Sequence, residues 1–170
     1  MRLLLPEPML KRLLHELGSG GRREIGGLLM GEHVSQDTFR LVDLSVQHSG
    51  GSGGCFTRKP RRHAKQLEEF FERTGRLYVR FNYLGEWHSH PSFDVIPSST
   101  DIATMQALVE DADVGVKFLV LLICRLDRAQ LNLSATAFTP GAHPVPVRLI
   151  YEKPNGAENG AGQESPVEAD

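Results

Sequence analysis

The chain has 170 residues, 40% of them hydrophobic and 24% charged, with a net charge of −2. That length allows one domain with a real core, and the near-neutral charge gives no general argument for a nucleic-acid or membrane partner. No apolar run reaches transmembrane length, the three leucines after Arg2 are too few for a secretion signal, and Cys55 and Cys124 do not make a disulfide framework, so the cytoplasm is the expected location.

In chain order, Leu10, Leu13, Leu14 and Leu17 recur at helical spacing and predict a helix over 6–17, ended by the glycine cluster at 18–21. Residues 25–30 form a short apolar run, the mark of a strand buried on both faces, with Glu24 at its leading edge. A polar turn near 35–37 leads into a second strand over 39–47 and so predicts a hairpin. The glycine-rich stretch 48–55 lacks the ending of a phosphate loop and reads as a mobile loop. A helix over 60–73 turns Ala64, Leu67, Phe70 and Phe71 inward, and a central strand follows over 83–89. A helix over 99–110 buries Ile102, Met105, Leu108 and Val109. Strands over 116–126 and 131–138 come next, and 145–151 adds an edge strand. Strands and helices interleave, which is an α/β pattern around a mixed sheet. The domain is expected to span 1–152, and the Gly-, Ala- and Glu-rich stretch 153–170 reads as a disordered acidic tail.

The chemistry concentrates in YLGEWHSHPSFDVIPSSTD, residues 83–101. His88 and His90 stand two apart on a strand, so both imidazoles share one face. Pro91 breaks the strand, and Pro97-Ser98-Ser99 opens the next helix with Asp101 in its first turn. Two imidazoles and one carboxylate leave a metal's fourth position open to water, which suits hydrolysis. Blander readings exist: paired histidines on a half-exposed strand, and a helix cap made by Ser98 and Asp101. Glu86 shares the histidine face, so spacing alone allows it to be the base or a partner of the ligands, and distance alone allows Asp94 as a ligand. The same triad would also suit a non-haem iron oxygenase. A cysteine hydrolase built on Cys55 lacks a neighbouring base.

The compound pattern His-x-His-x7-Ser-x2-Asp, with Glu24-Ile-Gly-Gly-Leu-Leu-Met-Gly upstream, resembles the JAMM (MPN+) metalloprotease family. Glu24, His88, His90, Ser98 and Asp101 each fall where the family motif asks, and the element order agrees from about residue 3 to 151. The form GEWHSHP…PSSTD is similar to stand-alone bacterial members encoded beside E1- and E2-like proteins in antiphage operons.

The resemblance implies a cytidine-deaminase-like three-layer fold with a mixed, mainly antiparallel sheet flanked by helices. It does not imply deaminase chemistry, which needs a Pro-Cys-x-x-Cys ligand pair that is absent. It implies one Zn²⁺ per chain held by His88, His90 and Asp101, with Glu24 as general base and Ser98 as donor to the developing oxyanion. The implied substrate is the amide after the C-terminal tail of a ubiquitin-like protein, in a conjugate or in a precursor, with E1- and E2-like proteins as operon partners. Trimming of a sulfur-carrier protein and an inactive scaffold are the alternatives. Phe93 and Trp87 are candidates to narrow the channel for that tail, with the core as the alternative place for Trp87, which points off the histidine face.

Overall fold

The computed structural model describes residues 1–48 and 60–153, and side chains within them apart from 60–62. In chain order the elements are β1 (Arg2–Pro6), α1 (Glu7–Gly20), β2 (Gly26–Ser35), β3 (Thr38–Leu44), α2 (Pro60–Arg73), β4 (Phe81–Ser89), α3 (Ser99–Glu110), β5 (Leu119–Asp127), β6 (Gln130–Phe138), β7 (Val145–Pro146) and β8 (Arg148–Glu152). The strands form one sheet in the order β7-β6-β5-β4-β2-β3-β1-β8. Four of its pairings are antiparallel and three parallel, so the mixed, mainly antiparallel expectation holds.

The side-chain alternation of the central strands sorts the core into two layers. Val120, Leu122 and Cys124 of β5 join Trp87 of β4 and Leu13 and Leu17 of α1 in one cluster. Leu119, Leu121 and Ile123 point the other way and pack under Met105 and Val109 of α3. The sheet therefore lies between α1 and α3. The second helix is tied to the sheet by a buried polar link: His63 Nδ1 lies 2.7 Å from Ser45 Oγ and its Nε2 3.3 Å from Gln47 Oε1. Ser45 Oγ also accepts the Leu28 N–H, at 2.8 Å.

The sequence reading needs correction at several places. Of the positions read as inward, Ala64 of α2 and Ile102 of α3 are exposed. Residues 2–6 form a strand, with Leu3 and Leu5 buried between β3 and β8, both parallel partners from distant parts of the chain. The first helix runs on through Gly20, which packs on Ile25, and stops at Gly21, where φ is 60°. The hairpin forms as expected, but β3 ends at Leu44 and Gln47 returns only as a bridge to Gly26. Most consequential, 145–151 is not one edge strand. Residues 145–146 pair with β6, and 148–152 pair with β1 at the opposite end of the sheet. Val147 makes the step: its N–H donates to Ala135 O in β6 at 2.9 Å, and the next N–H, of Arg148, donates to Met1 O at 3.2 Å. The sheet curls until its two edges meet there. The expected glycine-rich loop (from residue 49), Cys55 and the tail from 154 fall outside the described residues.

Candidate metal centre

The centre is built at the end of β4, the strand held by β2 on one side and β5 on the other. Trp87 points into the α1 layer, while Glu86 and His88 point to the opposite face. His90 follows the strand, and its N–H donates to Cys124 O in β5 at 2.8 Å. Both imidazoles are therefore anchored by main-chain pairing and are buried, at 6% and 8% exposed. Close packing of β2 on β4 holds the register: a side chain on Gly26 would overlap the Trp87 carbonyl and come within 2.9 Å of His88 Cβ.

Asp101 comes from the first turn of α3. Ser98 is the N-cap, and a capping box joins the two: Asp101 N–H donates to Ser98 Oγ at 3.2 Å, and Ser98 N–H donates to Asp101 Oδ2 at 2.8 Å. The Ser98 hydroxyl also lies 2.7 Å from Oδ2 and donates to it. The capping reading holds, and the cap leaves Asp101 able to serve as a ligand as well. The cap occupies Oδ2 and leaves Oδ1 aimed at His88 Nε2, 3.5 Å away.

The three ligand atoms fit a metal ion. Those of His88, His90 and Asp101 all lie within 4.8 Å of one another, and the two Nε2 atoms are 3.1 Å apart. Two nitrogens each about 2.0–2.1 Å from a tetrahedral zinc stand roughly 3.3 Å apart, close to what is seen. Burial pushes the His88 pKa down to about 4, and nearby His90 adds to this while Asp101 opposes it, so the ring is neutral and offers a lone pair.

Glu24 lies just ahead of β2, half-buried, on the segment beside the strand that ends in the histidines. Burial raises its pKa, His90 works against that rise and Asp101 adds to it, so the carboxyl is within electrostatic range of two of the ligands. The neighbouring residue, Ile25, is bonded twice to Ser89: its N–H donates to Ser89 Oγ at 3.0 Å, and its carbonyl accepts the Ser89 N–H at 2.8 Å.

Other candidates separate. Glu86 is buried two residues down β4, opposite Leu28 and Leu121, and is not among the converging ligands. The Asp94 carboxylate points outward to Arg125, 3.4 Å away, and what it brings to the site is its main-chain oxygen, which accepts from His90 Nδ1 at 2.7 Å. Trp87 is fully buried and donates to Ser45 O at 2.8 Å, so it lines no channel. Phe93 is exposed, its ring edge-on to His90 at 6.3 Å, and Ile96 and Ile102 are also exposed. Cys124 is fully buried, its thiol pKa pushed up by burial, and cannot act as a nucleophile. The sequence reading missed Ser89, Arg125 and Ser134. Only Ser89 carried a local signal, a small hydroxyl between the two histidines.

The family model for prokaryotic homologs of the JAB domain matches residues 6–137. A CD-NTase/cGAS isopeptidase from Enterobacter hormaechei is 27% identical over 151 residues, which cover 87% of this chain and 81% of that protein. A 26S proteasome regulatory subunit from Schizosaccharomyces pombe is 33% identical over 99 residues, 58% of this chain. The chain spans only 31% of the length of that subunit. Among solved structures, a Desulfitobacterium hafniense protein shares the fold, with a TM-score of 0.65, 21% identity and coverage of 89% of this chain and 93% of that one.

Proposed function

The chain belongs to the family of prokaryotic JAB-domain homologues, and from that premise we propose that it is a zinc-dependent isopeptidase that cuts the amide after the C-terminal tail of a ubiquitin-like protein. The observation that carries this reading is the convergence of His88, His90 and Asp101, with the Glu24 carboxyl in electrostatic range of the same point. His88, His90 and Asp101 would hold a zinc ion, which when bound would supply a Lewis acid that brings the pKa of water down to about 7 and polarises the scissile carbonyl. Glu24 takes the water's proton and hands it to the leaving lysine amine, a task its raised pKa suits. Ser98 keeps Asp101 aimed, and its hydroxyl serves the developing oxyanion by turning away from Asp101 Oδ2.

The exposed loop over 91–97 places Phe93 beside His90, where it limits the side chains that fit next to the cut. A narrow channel admits glycine or alanine at the last two tail positions. The likeness to a CD-NTase/cGAS isopeptidase supports a CD-NTase as the modified protein, and the E1- and E2-like proteins that the motif resemblance implies would be the enzymes that join the tag.

The test is a conjugate in which a ubiquitin-like tail is joined by its C-terminus to a lysine of a CD-NTase, incubated with the zinc-loaded chain. Cleavage that chelation abolishes, and that stops when the last two tail residues become Leu or Phe, is expected. Equal cleavage of bulky tails or of unrelated unfolded proteins would make it a general peptidase. Stoichiometric iron with oxygen-dependent turnover would end the hydrolase reading.

A further inference from the structure

We infer that Ser89, the residue between the two histidine ligands, is a positioning residue that sets Glu24 against the metal centre. This rests on the reading of Glu24 as the base. In an antiparallel ladder, residues that face each other as a hydrogen-bonded pair exchange both N–H and C=O. Gly26 faces His88, so Ile25 falls opposite Ser89. Half of the expected exchange is present, since Ser89 N–H donates to Ile25 O at 2.8 Å. The other half is not a main-chain bond. Ile25 N–H donates to Ser89 Oγ at 3.0 Å instead.

On the other side His90 N–H donates to Cys124 O, so the chain stays tied to both neighbours here, and on the Ile25 side the Ser89 hydroxyl takes the place of the ladder's acceptor. Ser89 is 2% exposed and Ile25 fully buried, so no solvent is at hand to replace that acceptor. A buried N–H left without one loses its hydration with nothing in return, and the chain would shift to avoid it. Glu24 is the residue that moves. It precedes β2, and on its other side the nearest main-chain bond is a turn, Arg23 N–H to Gly20 O at 3.2 Å. The two Ser89–Ile25 bonds are therefore the short link between the segment carrying the base and the one carrying both histidines.

The test uses the full zinc-loaded chain and a ubiquitin-like protein joined through its tail to a reporter lysine. Ser89→Ala is expected to lower kcat about 10–100-fold, with KM and zinc content unchanged and with faster hydrogen exchange at the Ile25 amide. Placed on Glu24→Gln, Ser89→Ala should lower the residual rate no further, because the residue acts through Glu24. A wild-type kcat for Ser89→Ala would overturn the inference. So would loss of zinc in that variant, or a full additional loss of rate in the double variant. If Ser89→Ala is recovered only as aggregate, Ser89→Gly carries the same test because it too removes the acceptor, and an unchanged kcat there is equally fatal. Full turnover by Glu24→Gln alone would instead sink the assignment of the base, whatever Ser89→Ala does.

Discussion

His90 donates its Nδ1–H to the main-chain oxygen of Asp94 at 2.7 Å, and this bond decides which of its nitrogens faces the centre. A carbonyl only accepts, so the proton sits on Nδ1, and Nε2 turns its lone pair toward His88 and Asp101. The Asp94 oxygen is held in turn by its loop, which Ser134 grips at Val95 O and Arg125 at Phe93 O. Ser134→Ala is expected to lower zinc affinity about 10-fold, the low end for residues that support metal ligands. Competition with a chromophoric chelator measures this, and an unchanged affinity would mean that the loop needs no such support.

Ser98 has two jobs that one substitution separates. As N-cap it stabilises α3, and as a donor to Oδ2 it aims Asp101. Ser98→Ala should destabilise the metal-free protein by about 1 kcal/mol and also weaken zinc binding. Thermal melts with and without metal give both numbers. A loss of kcat with both left intact would leave oxyanion donation as its sole role.

Glu24→Gln should keep zinc and lose about 10²–10⁴ in turnover, since an amide cannot accept the water's proton. Glu86→Gln should be milder, because Glu86 stands apart from the converging ligands. Elemental analysis beside steady-state rates checks the pair, and a reversed order would transfer the role of base to Glu86.

Asp43 joins three elements, β3 through its own backbone, α1 through Arg12 and α2 through Arg73. Burial raises its pKa, but hydrogen bonds from Arg73, Arg12 and the Leu44 N–H outweigh this and hold it below the ordinary 3.8. The folded value is the depressed one, so the stabilisation is present above about pH 4 and is lost as pH falls through the folded pKa. Asp43→Asn should cost roughly 2 kcal/mol at pH 7 and flatten the loss of stability in acid. Urea melts from pH 7 down to pH 3 would detect both, and a parallel acid limb in the variant would remove Asp43 from the account.

What the sequence determined by itself is what short stretches of chain impose. A spacing of two at the end of a strand puts His88 and His90 on one face, and a helix that starts right after Ser98 puts Asp101, three residues on, within reach of its cap. Such geometry is local and survives any arrangement of the rest. Partners far apart in the chain were beyond it. The Leu3 and Leu5 strand has neighbours beginning at Thr38 and Arg148, and residues 145–151 divide between opposite edges because the sheet curls until those edges meet at Val147. The same holds within the site. Ile25, next to Glu24, is tied to Ser89 by a bond spanning 64 residues, and what covers Trp87, a residue whose strand position already turns it off the histidine face, is α1. Long-range register is set by which apolar faces close on one another, and a linear pattern states that a face is apolar without stating what will cover it.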